Sequence, residues 1–222
     1  HSSAPAMVLR DRSKLRFMEV IAFDDVRIDK ICTIAEKGMK RQFGYPLAVF
    51  ALDVATGCDI AHIVKPRAKR KEDDSVIGIA SEDVKQLILN IISQRGLPPY
   101  QVKFLIENAA ATLSEADELA LKQTFRDRII IERCGVLRDT FLQNGFYERG
   151  GKPWFKAWIE AFFRPFQEQL ALTDGSSGNR YDNMPAQTKY AAAYAKNLLK
   201  KCGARDDVFE KLIMPYPRFE DI

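Results

Sequence analysis

The sequence predicts an α/β protein built on a mixed sheet: three antiparallel strands, then alternating helix and strand, with helices on both faces and a C-terminal helical extension. Three observations predict it. Apolar runs of strand length crowd the first third of the chain, two of them separated by a short Gly-containing loop. From Ser81 onward, segments of helical periodicity alternate with short apolar runs, the pattern of parallel strands joined by crossover helices. The composition, 46% hydrophobic and 29% charged over 222 residues, supports one sizeable core and excludes wholesale disorder.

Each element has its own signal. Phe17–Asp24 (FMEVIAFD) is apolar and partly β-branched and reads as the first strand, with pairing extended through Val26–Ile34. Pro46–Asp53 (PLAVFALD) is nearly continuous in apolar residues, as a strand buried on both faces must be, and its proline sits at the start, where a missing N–H is tolerated. Ala55-Thr56-Gly57 makes the hairpin turn into Cys58–Val64. Lys65–Asp74 is a charged loop. Ser81-Glu82-Asp83 caps a helix whose Val84, Leu87, Ile88 and Ile91 share a face, and Gly96-Leu97-Pro98-Pro99 ends it. Val102–Ile106 is a strand, Ser114 opens a helix to about Phe125, and Arg128–Ile131 is a further strand. A helical stretch spans Val136–Gln143. Pro153–Leu170 is a long amphipathic helix with Phe155, Trp158, Ile159, Phe162, Phe163 and Phe166 as its stripe. Two shorter helices, near Ala186–Lys201 and Asp206–Met214, complete the chain.

The expected organisation is an expression leftover and disordered lead-in over 1–12, a catalytic core over 13–172, a linker over 173–184 and the helical extension over 185–222. The net charge of +4 and pI near 8.8 are compatible with a nucleic-acid partner. No apolar run reaches the roughly 20 residues of a membrane span, so no membrane partner is expected. Cys32, Cys58, Cys134 and Cys202 are too dispersed for a structural zinc site and read as reduced thiols of a cytoplasmic protein. His62, within an apolar strand, reads as structural.

Acids punctuate the apolar strands. Asp24 and Asp25 close the first, Asp53 closes the second, Glu107 follows VKFLI, and Glu160 interrupts the apolar stripe of the long helix. A strand-end acid is commonly a turn or cap residue. Acids from separate elements that converge instead repel one another unless a cation sits between them, and paired hard cations are the basis of two-metal phosphoryl transfer.

The order of elements matches the ribonuclease-H-like fold, and four segments carry a family resemblance. VIAFDDVRID resembles the first catalytic-Asp strand of the acidic-triad (DDE) transposases and retroviral-type integrases. LAVFALDVATGCDIAHIV resembles the following hairpin, and RGLPPYQVKFLIENAAATL the segment bearing the second acid. GGKPWFKAWIEAFFRPFQEQL resembles the segment with the third, where a basic residue, a Glu and a Phe-Phe pair lie on one helix. The long gaps and that pair are most similar to the phage-Mu-type branch. The resemblance covers about Phe17–Leu170.

It implies a metal-dependent DNA transposase or integrase core that cleaves phosphodiesters and transfers strands. Asp24, Glu107 and Glu160 would be catalytic and would hold Mg²⁺ (or Mn²⁺). Strand alternation lets only one of Asp24 and Asp25 face the other acids; the register that puts Val26 and Ile28 in the family's alternating positions selects Asp24, with Asp25 the alternative. Lys156 and Asn108 would contact DNA beside the site, and Arg67, Lys69 and Arg70 would add backbone contacts. The partner would be double-stranded DNA, both element ends and target, on which the chain would form a homo-oligomer. Two departures stand out. Glu107 occupies a position usually held by Asp, which displaces the carboxylate by about 1.3 Å, and Ala109 replaces a Gly. Two other functions fit the same residues: a nuclease of this fold that only hydrolyses, and a catalytically altered or inactive remnant that binds DNA.

Overall fold

A computed structural model describes residues 12–34, 42–106, 113–133, 157–172, 176, 184–203, 205–209 and 211, with the backbone alone at 133, 157–160, 206 and 209. The strands are β1 (Val20–Arg27), β2 (Cys32–Ile34), β3 (Gln42–Gly44), β4 (Pro46–Asp53), β5 (Asp59–Pro66), β6 (Val102–Ile106) and β7 (Ile129–Arg133). The helices are α1 (Ser81–Arg95), α2 (Glu115–Thr124), α3 (Ala157–Ala171), α4 (Ala186–Cys202) and α5 (Asp206–Phe209). The helical stretch expected over Val136–Gln143 lies outside the described residues. No described helix is long and apolar enough to cross a membrane.

Five strands form one mixed sheet in the order β5-β4-β1-β6-β7, and β2 and β3 form a separate antiparallel pair. β1 and β4 run antiparallel: the Val54 amide donates to the Val20 carbonyl and the Ile28 amide to the Pro46 carbonyl, both at 2.9 Å. β6 is parallel to β1, with Val20 beside Lys103 and Ala22 beside Leu105, and β7 is parallel to β6. Parallel neighbours need a crossover connection, and α1 and α2 lie in the two connections.

The structure forms two compact units, each drawn from several stretches of chain. One takes in His1–Asp25, Val49–Ile63 and Ile79–Phe162; the other takes in Val26–Ala48, Val64–Gly78 and Phe163–Ile222.

In the first unit, alternation along the strands puts Ile21, Phe23, Val49, Ala51, Val102, Phe104 and Ile106 into one core with Val84, Leu87, Ile88 and Ile91 of α1 and Leu121 of α2. Phe23 meets Phe104 edge-on at 5.6 Å between centroids. Leu87, Ile88 and Ile91 are wholly buried, and each contributes about 1.5–3 kcal/mol by leaving water. The spacing read from the sequence for α1 is thus the spacing of its buried face. Its cap differs from the expected one. Ala80 is the N-cap, and the Asp83 carboxylate reaches back to accept the Ala80 amide at 2.7 Å, one half of a capping box. At α2, Ser114 is the cap, its hydroxyl accepting the Asp117 amide at 3.1 Å.

In the second unit, α4 lays Ala191 and Ala195 against Ile31, Phe43 and Tyr45. Ser176, inside the stretch read as a linker, is buried, bridges Lys30 and donates its hydroxyl to the Asp29 carbonyl at 3.4 Å.

Strand limits differ from expectation at β1 and just after it, and by one or two residues at β5 and β7. β1 begins at Val20 rather than Phe17, because Met18 has a φ of 59°, a left-handed conformation that no extended strand accommodates. The expected extension holds only in part: β1 runs through Asp24 and Asp25, which therefore lie inside the strand and do not close it, to Arg27, and Ile28 still bonds to Pro46, but Cys32–Ile34 pairs with Gln42–Gly44 instead. The charged loop is more ordered than expected. Lys69 bridges Val76, the Arg70 amide donates to the Ser75 carbonyl at 2.9 Å, and the Ile77 amide to the Ala68 carbonyl at 2.8 Å.

Candidate functional site

Asp24 and Asp25 are neighbours on the central strand, so their side chains leave opposite faces. Ile21 and Phe23 point into the core against α1, which assigns Asp25 to that face and Asp24 to the other, with Ala22. Asp24 is half-buried and Asp25 exposed.

The β1–β4 register defines what surrounds Asp24. Its two flanking hydrogen bonds enclose stretches of equal length on both strands, so Asp24 lies across from Phe50. Phe50 is buried and meets two rings, Phe162 of α3 at 5.6 Å and 63° and His62 at 5.3 Å. Val49 and Ala51 belong to the opposite face, so α3 approaches the sheet on the face that carries Asp24. Glu160 belongs to the same helix, two residues before Phe162. Glu107, Asn108 and Lys156 lie outside the described residues.

Asp53, the last residue of β4, has a different task. Its side chain is fully buried, one oxygen accepting the Met18 amide at 2.9 Å, the other the Thr56 amide at 2.9 Å and the Thr56 hydroxyl at 2.7 Å. The chain's own donors occupy both oxygens, so Asp53 organises the turn that ends at Gly57, where φ is 76°. His62 is half-exposed, and its Nδ1 lies 2.7 Å from an Asp59 carboxylate oxygen. Among the described residues, no group of three or more His, Cys, Asp or Glu is arranged to hold a metal. Cys58 and Cys202 are exposed thiols, and the buried Cys32 thiol donates to the Gly44 carbonyl at 3.4 Å.

The basic run of the sequence divides in the fold. Arg67 and Lys69 line an open cleft of about 300 Å³ together with Arg27, Gln42, Gly44, Tyr45, Ala68 and Val76, and Arg70 is not part of its wall. Arg27 is the member that sequence reasoning missed. Its Nε and Nη2 both donate to one Asp29 oxygen, at 2.9 and 2.6 Å, and its guanidinium lies 4.8 Å from the Tyr45 ring centre. Asp29 is in turn fixed by α3: the Asp29 amide donates to the Gln167 Oε1 at 3.3 Å, and the Gln167 Nε2 donates to the Arg27 carbonyl at 2.8 Å.

No protein-family model matches the chain, and no curated protein matches it.

Proposed function

We propose that the chain is the catalytic core of a metal-dependent DNA transposase or integrase with a ribonuclease-H-like fold, cleaving phosphodiesters and transferring the strands it frees. One observation carries the reading: a half-buried Asp24 on the central strand occupies the sheet face over which Phe162 of α3, the helix of Glu160, packs on Phe50. Two further features support it. The five-stranded sheet, antiparallel on one side of β1 and parallel on the other, is compatible with the mixed sheet expected of that fold. Asp24 stands two residues beyond Ala22 and Glu107 two beyond Leu105, the last described pair of the β1–β6 register.

Asp24, Glu107 and Glu160 supply only oxygen donors, the set that suits Mg²⁺ or Mn²⁺. Such cations, when bound, stabilise charge on the attacking and leaving oxygens of an in-line displacement. The chain's part is to hold the three carboxylates at fixed positions and to grip the flanking DNA. Asp24 is positioned by strand pairing on both sides of β1. Lys156 and Asn108 would steady phosphates beside the acids, and Arg67, Lys69 and Arg70 would add contacts to the DNA backbone. The partner would be double-stranded DNA, held by a homo-oligomer.

The test is nicking of supercoiled plasmid and joining of a pre-nicked end. Mn²⁺- or Mg²⁺-dependent product is expected, falling by at least about a hundredfold in Glu160→Gln and Asp24→Asn, with the smaller loss in Asp25→Asn. Nicking without joining would leave a hydrolytic nuclease. Unchanged activity in Glu160→Gln would remove the mechanism.

A further inference from the structure

The cleft beside the two-stranded β2–β3 sheet brings Arg27 together with Arg67 and Lys69 from a distant part of the sequence, and no carboxylate is among its described lining residues. The fold holds this group in place. Gly44 lets the chain at Arg67 pass close to β3: a Cβ there would stand 3.0 Å from the Arg67 carbonyl oxygen and 2.7 Å from Ile34 Cδ1. Gln42 Nε2 donates to that same carbonyl at 3.3 Å. The pairing of Lys69 with Val76 fixes the next turn of the wall. On the opposite side, Asp29 takes two donors of Arg27 and so orients the guanidinium, leaving Nη1 to a ligand. Asp29 is itself buried and tied to Gln167.

We infer that this cleft is a docking site for the phosphodiester backbone of DNA, with Arg27, Arg67 and Lys69 donating to phosphate oxygens. The inference rests on the DNA partner proposed above and deepens it: it adds Arg27, Gln42 and Tyr45 and separates Arg67 and Lys69 from Arg70. Guanidinium forks match phosphate oxygens, and although Asp29 offsets the charge of Arg27, Arg67 and Lys69 leave the cleft a positive excess, which favours a polyanion. A running backbone suits the site better than a small nucleotide, because Tyr45, the one ring among the described lining residues, is already covered. Tyr45 has Arg27 over its face and packs against the Ile31–Ala191–Ala195 cluster. The cleft therefore reads charge and not sequence.

The experiment is fluorescence anisotropy of the full chain with labelled duplex DNA in EDTA, over a KCl series. Arg67→Gln combined with Lys69→Gln should weaken binding roughly tenfold and reduce the slope of log K against log salt by about 1.5, irrespective of DNA sequence. Both side chains are exposed, and an unchanged melting temperature would show that the fold survives. Arg27→Gln should act in the same direction. Arg95→Gln, an exposed charge at the end of α1, should change neither quantity. Affinity and slope of the double variant equal to the parent's would overturn the inference. Saturable binding of pyrophosphate alone at micromolar concentration, lost in the double variant, would overturn it too, by making the occupant a free phosphate compound. EDTA separates the two readings: a chain that binds through the cleft but never nicks DNA retains this site and loses the catalytic proposal. A chain that nicks DNA but binds it regardless of the double variant does the reverse.

Discussion

Replacing Asp53 with alanine removes three hydrogen bonds from a side chain with no exposed surface: those from the Met18 amide, the Thr56 amide and the Thr56 hydroxyl. Hydrogen bonds to a charged group contribute about 1.5–3 kcal/mol each. Three bonds to one side chain share its placement and do not add in full. Removing a buried carboxylate also recovers part of its desolvation cost, while the buried Met18 amide is left without its acceptor. The net expectation is a loss of about 3 kcal/mol. For a chain of this size that corresponds to a fall in melting temperature of about 6–12 °C. Asp53→Asn keeps the shape but must turn its NH₂ toward one of the donors, and should cost about half as much. Guanidinium titration followed by far-UV circular dichroism measures both. An Asp53→Ala midpoint within about 1 kcal/mol of the parent would refute the turn-organising role. So would a stabilisation of the parent by Mg²⁺ that disappears in Asp53→Ala, since that would make Asp53 a cation ligand.

Gly44→Ala should destabilise the chain by about 1–3 kcal/mol, because the new methyl meets the buried Ile34 side chain at 2.7 Å; a denaturant midpoint equal to the parent's would contradict it. Asp117 is held below the ordinary carboxylate range first by the Ser114 hydroxyl and then by the Lys85 ammonium. A carboxylate depressed in the folded state stabilises above its unfolded value and loses that contribution as pH falls through its folded value. Asp117→Asn should therefore melt slightly below the parent at neutral pH, and the two curves should converge only at pH below the ordinary carboxylate range. Thermal melts of both chains across acid pH measure this, and a gap that widens with acid would reverse the sign.

β4 and β6 were legible in the sequence to the residue, one as an unbroken apolar run and the other as VKFLI with clear turn signals on each side. Their character is set by burial, which apolar patterning reports directly. β1 was legible as a strand but not in its start, because the left-handed Met18 leaves no mark in hydropathy. β2 and β3 are three residues each, too short for any period to register. At the candidate site, the sequence shows that Asp24 and Asp25 leave opposite faces, because alternation is a local property; which face each takes is set by the packing of Ile21 and Phe23 against α1. Asp53 could not be separated from the other strand-end acids, since its donors include Met18, far earlier in the chain. Arg27 gave no signal for the same reason: Tyr45, Arg67 and Lys69 reach it only through folding.

The bond from the Met18 amide to Asp53 also acts at a distance from the turn. It clamps the chain two residues ahead of β1, at the mouth of the β1–β4 ladder. Sliding β1 by a single position would break that clamp and exchange the two aspartates, presenting Asp25 beside Phe50 and turning Asp24 toward the aliphatic interior. The buried turn acid thereby selects which of two adjacent carboxylates the sheet displays, without touching either.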